Sequence, residues 1–327
     1  MAERNRFVTL DALRGVAAIG VMLYHSMPSS PLPVPGGFLA VDLFFVLSGF
    51  VIALTYEERL RQGMGPREFL TLRAIRLWPM LLAGALLGIG LEGGHAGMLF
   101  LLPNPYSDTL YPSNPPLWSL LLEAMAYVGF AAFAYRVSDR GLVAWAGVSG
   151  AALAGFCAYS SGQLHEFGGF WSTFPEGLAR VSFSFTAGML IYRRRKKDEL
   201  RRGADRRAWL LLAVLLAVML VMPGSAGSGG LLAILAIFPA LVWFASKWDL
   251  PSGRAGSLLG ELSYPLYCIH MPILALAAAS GIARPLTWAA LIGASLLLDR
   301  WWDRPARRWL AMLWKRSAPQ TRIGIST

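Results

Sequence analysis

The residues of this chain that could do chemistry lie within or beside long apolar runs. They are His25, Asp42, Glu123 and His270, the arginines Arg14, Arg73, Arg76 and Arg180, and the tyrosines Tyr264 and Tyr267. A histidine with a carboxylate near it suits general-base work, because imidazole titrates near neutral pH and a carboxylate can orient it. Guanidinium forks match phosphate oxygens, so Arg14, Arg73 and Arg76 suit a phosphate-bearing molecule. Arg73 and Arg76 stand three positions apart and share one helix face. Arg14 and His25 are eleven positions apart, so one helix projects both from nearly the same side, about 16 Å apart along its axis. Ionisable groups at membrane depth are expensive, which makes each a functional candidate by default.

The elements that position them are membrane helices. Of 327 residues, 55% are hydrophobic and only 15% charged, where a soluble domain carries about a quarter charged residues. The apolar runs are long enough to span a bilayer. Candidate spans fall at 8–27, 37–56, 74–91, 117–135, 141–160, 172–192, 208–223, 229–247, 258–279 and 285–302. The fold expected is an all-α integral membrane bundle of about ten transmembrane helices. The apolar piece at 97–102, bounded by Pro103 and Pro105, is too short to span and reads as re-entrant or interfacial. Arg4 and Arg6 precede the first run as in a signal peptide, but Asp11 and Arg14 interrupt it, so it reads as the first membrane helix.

Charge gives the orientation. The net charge is +11, yet the basic residues fall in the gaps between apolar runs rather than on a nucleic-acid-binding face, so nucleic acid is not an expected partner. With the N-terminus in the cytosol, every Lys and Arg except Arg14, Arg180 and Arg284 lies in a segment on the cytosolic side, as the positive-inside rule requires. Both termini are then cytosolic, and the densest run is the 193–207 loop. Residues 1–302 form the transmembrane domain and 303–327 a cytosolic amphipathic tail. There Asp303 can cap a helix with Pro305 in its first turn, and Trp309 and Trp314 among basic residues fit an interfacial helix on anionic lipid. Trp301 and Trp302 fit an aromatic belt. Cys157 and Cys268 offer neither a disulfide framework nor metal-ligand spacing, and no metal is expected.

Sorted by depth, the inner half gathers Arg14, Arg73 and Arg76. The outer half gathers His25, Asp42 and Glu123, with His270 near the middle of its helix. Other readings compete. Arg73 and Arg76 could be topology signals that snorkel to headgroups. Asp42 could pair with Arg14 or Arg180 as a structural ion pair, and His270 beside Pro272 could only shape its helix. His95 and His165 read as solvated loop residues.

Five motifs resemble acyltransferase family 3, membrane-bound acyl-CoA-dependent acyltransferases, in order along essentially the whole chain. They are Leu10-Asp11-Ala12-Leu13-Arg14-Gly15 with Tyr24-His25, the run from Val41 to Phe50, Arg73-x-x-Arg76-x-x-Pro79, Trp118-Ser119-Leu120-x-x-Glu123, and Ser263-Tyr264-Pro265-Leu266-Tyr267-x-x-His270. The resemblance implies transfer of an acyl group, often acetyl, from cytosolic acetyl-CoA or another acyl-CoA to a saccharide hydroxyl. It implies a multi-pass protein of the bacterial inner membrane, with acyl-CoA, a saccharide acceptor and membrane lipid as partners. It makes His25 the catalytic candidate and places Arg14, Arg73 and Arg76 at the donor.

On this reading the donor docks on the inner arginines, its thioester reaches His25, and His25 deprotonates an acceptor hydroxyl entering from outside. Asp42 or Glu123 would orient the imidazole. Tyr264, Tyr267, His270 and Arg180 would contact the acceptor. A covalent acyl-His25 intermediate is a second route. The rival classes are a transporter of a small solute or glycan precursor and a non-catalytic component of polysaccharide assembly.

Overall fold

The computed structural model describes residues 7–26, 32–164, 167–197, 203–223, 227–251 and 253–317. Arg4, Arg6, His165, Arg201, Arg202 and Arg322 lie outside the described residues. Each expected apolar window falls on a helix: α1 Val8–His25, α2 Gly37–Arg61, α3 Pro66–Glu92, α4 Leu117–Ala132, α5 Asp139–Tyr159, α6 Phe174–Lys197, α7 Ala208–Val221, α8 Gly227–Ala245, α9 Gly253–Ala279 and α10 Arg284–Leu298. A further helix, α11 Arg304–Ser317, forms the tail. By length and composition, six helices (α1, α2, α3, α5, α8 and α9) can cross a membrane, and α4 and α7 are shorter apolar helices. The protein is an all-α, multi-pass membrane protein.

The bundle is organised by a few close helix pairs: α1 on α9, α2 on α6, α5 on α6, and α9 on α3 and α10. Hydrophobic transfer gives little reason for helices to associate in lipid, so small residues that let backbones approach matter more. At the α2–α6 crossing a Cβ on Gly49 would stand 2.0 Å from the Phe185 carbonyl oxygen, and one on Gly188 would stand 2.1 Å from that of Val46. Neither position admits a side chain at this separation.

Polar ties lock the same crossings. Asp42 on α2 is fully buried and takes a two-pronged bond from Arg180 on α6, Nε to Oδ1 at 3.1 Å and Nη2 to Oδ2 at 2.5 Å. Arg180 Nη1 also donates to the carbonyls of Leu164 and Phe167, and its guanidinium lies over Trp118. At the other end of α6, Arg193 Nε reaches both oxygens of Glu57, at 3.0 and 3.1 Å, and Nη1 donates to the Val137 carbonyl at 2.6 Å. Arg193, counted in sequence among the topology charges, is a buried tie between α2, α6 and the turn before α5.

Two breaks in regular hydrogen bonding bear on the site. Pro272 within α9 has no N–H, so the carbonyl four residues earlier, that of Cys268, loses its helical donor. Asn114 Nδ2 supplies one at 2.9 Å. Helix α10 runs without interruption through a π turn, Asp299–Asp303, into α11. Asp303 therefore caps no helix start; it stands in a continuous helix and its side chain is free to reach elsewhere.

Candidate active site

Helix α9 assembles the site. Tyr264, Tyr267 and His270 recur every third residue, so they line one face over about 9 Å of axis. Three other helices present their own residues to that face.

At the N-terminal end of this face, near the middle of α9, Tyr264 donates its hydroxyl to the Leu77 carbonyl at 2.6 Å and lies under the Arg76 guanidinium, 5.3 Å from its ring centre. Beside it opens a cleft of about 700 Å³, its mouth included, lined by Arg14, Arg73, Ser48, Glu123, Tyr127 and Tyr267 among others. Arg73 Nη2 donates to the Tyr127 hydroxyl at 3.1 Å and its guanidinium stacks on the same ring. Tyr127 donates to Glu123 Oε1, which also accepts Ser48 Oγ at 2.5 Å. Arg14 lies within electrostatic range of Arg76, Asp11, Glu123 and Tyr127. Arg73 Nε and Arg76 Nη1 are buried and have no hydrogen-bond partner. Buried polar groups are nearly always bonded, so unmet guanidinium donors around one cleft fit an anionic ligand.

Asp303 lies beside Arg76. It is 1% exposed, and its Oδ2 is 3.9 Å from Arg76 Nη1 and 2.6 Å from Arg307 Nη2. Next to it, Trp302 donates its Nε1–H to the Pro79 carbonyl at 2.8 Å. The π turn thus grips α3 at the two residues that close the Arg73-x-x-Arg76-x-x-Pro79 motif.

At the C-terminal end of this face stands His270, buried, with Nδ1 at 2.9 Å from the Tyr267 carbonyl and 3.1 Å from that of Leu266. Carbonyls only accept, so Nδ1 carries the proton. Neutral His270 then has a lone pair on Nε2, which lies 3.1 Å from His25 Nδ1. His25 must donate Nδ1–H to it, and its own Nε2 is left as an unprotonated base; this tautomer is assigned from the hydrogen-bond network. Tyr267 connects the two ends. It lines the cleft, bonds Ser119 Oγ at 2.6 Å, and its ring stands 5.8 Å from that of His270.

The structure thus brings Arg14, Arg73, Glu123, Tyr264 and Tyr267 to one cleft with Arg76 beside it, and pairs His25 with His270. Among the described residues it brings no carboxylate to His25. Asp42 is engaged by Arg180, which spends its Nε, Nη1 and Nη2 on Asp42 and two carbonyls. Glu123 lies with the arginines. Its depth was misjudged because Asn114 and Leu117 are fully buried: helix α4 starts inside the bundle, so counting turns from its first residue places Glu123 too near the surface. Sequence reasoning passed over Ser48, Tyr127, Ser119 and the role of Asp303. Ser48 and Ser119 lie inside the motifs named from the sequence, and Tyr127 stands four residues after Glu123 on the same helix face.

A family model described as an acyltransferase domain matches residues 7–298. The chain is 28% identical over 293 residues to the exopolysaccharide production protein ExoZ of Rhizobium meliloti (strain 1021), covering 84% of this chain and 89% of that one. It is 33% identical over 179 residues to Protein 2 in picA locus of Rhizobium radiobacter, covering 46% of this chain and 93% of that one. The putative peptidoglycan O-acetyltransferase YrhL of Bacillus subtilis (strain 168) is 27% identical over 335 residues, covering 88% of this chain and 52% of YrhL. No solved structure matches the chain.

Proposed function

The chain belongs to acyltransferase family 3, and from that premise we propose that it is an O-acyltransferase of the bacterial inner membrane. It moves an acetyl group from cytosolic acetyl-CoA to a hydroxyl of a surface or lipid-linked saccharide. The observation that carries this reading is the single face of α9, with Arg76 and the arginine cleft against Tyr264 at one end and the His25–His270 pair at the other. The names of ExoZ and YrhL point to exopolysaccharide and peptidoglycan as acceptor classes.

In this account ten helices cross the membrane with both termini cytosolic, supported by the placement of basic residues. Arg14, Arg73 and Arg76 hold the phosphates of the donor. The acyl thioester extends past Tyr267 toward His25. His25 Nε2 takes the proton of the acceptor hydroxyl as its oxygen bonds to the thioester carbonyl carbon. The C–S bond then breaks, the thiolate leaves, and the proton on His25 neutralises it. His270 accepts the Nδ1–H of His25, holding the ring in the basic tautomer and favouring the imidazolium formed during transfer. Glu123 fixes Tyr127, and Tyr127 fixes Arg73. Asp42 and Arg180 set the α2–α6 frame.

The test is acetyl transfer by the purified protein in lipid. It uses labelled acetyl-CoA and cell-envelope glycans, with wild type and His25→Ala compared. Ester-linked label on glycan with wild type alone supports the reading. Transport of solute across sealed vesicles without any ester formation would replace it with the transporter class.

A further inference from the structure

The partner contacts of α9 give the direction of its neighbours. Val8 and His25 of α1 meet Gly256 and His270, and Leu77 and Gly84 of α3 meet Tyr264 and Cys268. So α1, α3 and α9 run the same way, and the C-terminal end of α3 lies at the same end of the bundle as His25. There Gly93 and Gly94 take φ of 75° and 156°, a 3-10 turn follows at Ala96–Phe100, and Leu101 has φ 60°. The segment folds back along α3, where Trp78 donates its Nε1–H to the Leu99 carbonyl at 3.0 Å.

Between this turn and residues 110–113 is a second pocket, about 440 Å³ with its mouth included. Glu92, His95, Asn104, Tyr111 and Ser113 line it. His95 is partly exposed, and its Nδ1 is buried there without a hydrogen-bond partner. Asn104 spends its Oδ1 on the Tyr106 N–H and its backbone carbonyl on Trp171 Nε1, each at 2.9 Å, which leaves its amide NH₂ as a donor. The second contact sets the Trp171 indole against the Asn104 backbone.

The charge decides the ligand class. Among the described residues, the pocket lining holds the Glu92 carboxylate and neither lysine nor arginine, so a phosphate or an acidic group is disfavoured. A neutral sugar fits. Its hydroxyls donate to Glu92 and to an imidazole lone pair, and accept from the Asn104 amide. The pocket is tied to the dyad by Asn114, next to Ser113, whose Nδ2 holds the Cys268 carbonyl two residues before His270.

Building on the acyltransferase reading, we propose that the Glu92–His95–Asn104 pocket is a saccharide subsite that holds a neutral sugar ring of the acceptor while a neighbouring hydroxyl reaches His25. The test is saturation-transfer NMR on the full chain in lipid nanodiscs without acetyl-CoA, using cellotetraose, maltotetraose and chitotetraose as probes. Wild type is expected to show transfer to at least one probe. A Glu92→Gln/His95→Ala variant is expected to bind about tenfold more weakly. Leu102→Trp, on the rim at a site 57% exposed, is expected to block binding by bulk without disturbing the fold. No transfer from wild type to any probe, undiminished transfer in both pocket variants, or displacement by phosphatidylglycerol or inorganic phosphate would overturn the proposal. Sugar binding here without acetyl transfer would sink the acyltransferase reading and leave the subsite standing; transfer with unaffected pocket variants would do the reverse.

Discussion

His25 Nδ1 and His270 Nε2 lie 3.1 Å apart across the contact between α1 and α9. Because His270 Nδ1 is committed to two backbone carbonyls, the pair has one consistent neutral arrangement, in which His25 Nε2 is free for the proposed role of base. The expected outcome is that His25→Ala lowers kcat by roughly 10²–10⁴-fold, the usual contribution of a general base. His270→Ala lowers it by roughly 10²-fold. Residues acting as a unit are not additive, so the double variant is expected to be no slower than His25→Ala alone. Steady-state kinetics on the three variants checks this; additive losses would mean the two rings act separately.

Arg76 and Asp303 give a second test. Among the described residues Asp303 reaches the proposed donor site through Arg76, so there it is a positioning residue. Asp303→Asn is expected to raise the KM for acetyl-CoA about tenfold, in line with the loss of one charged contact, and to leave the acceptor KM in place. Asp303→Glu is expected to restore part of the donor affinity. A variant that lowers kcat and both affinities together would show a general structural role instead.

Glu123 is expected to act on the donor rather than as the base. Glu123→Gln keeps a hydrogen-bond acceptor for Tyr127 and Ser48 but removes the charge facing Arg14 and Arg73. The donor KM should change, while the fall in rate on acidification, caused by protonation of the His25 imidazole, stays in place. Loss of that acidic limb in Glu123→Gln would transfer the base role from His25 to Glu123.

The Asp42–Arg180 pair is expected to govern stability. Removing one member of a buried pair leaves an uncompensated charge, at a cost of about 3–5 kcal/mol. Asp42→Asn and Arg180→Met should each lower the thermal midpoint in detergent strongly, and the double variant should recover part of the loss. Full stability with lost activity would instead make the pair part of the chemistry.

Hydropathy located the helices well, because a bilayer demands long apolar runs whatever the helices pack against. Depth was readable only where a helix begins at the membrane surface. Counting turns places Arg14 and His25 along one uninterrupted helix, α1, as their spacing implies. It failed for Glu123, since the prolines before α4 deliver the helix start into the protein interior. The pairing of His25 with His270 joins residues 245 positions apart, and no local pattern encodes it. Arg193 and Asp303 were read as surface charge and helix cap because their partners, Glu57 and Arg76, belong to other helices. Asn114 became meaningful only beside the carbonyl that Pro272 strips of its donor.

The central claim is that donor and acceptor meet from opposite ends of one bundle, at His25. It is tested most directly by sided proteoliposomes of uniform orientation, with labelled acetyl-CoA confined to the face carrying Arg73 and Arg76 and glycan confined to the face carrying His25. The account expects label to reach the glycan across the sealed membrane with wild type and not with His25→Ala. Transfer only when acetyl-CoA and glycan share one face, or equal transfer by His25→Ala, would contradict it.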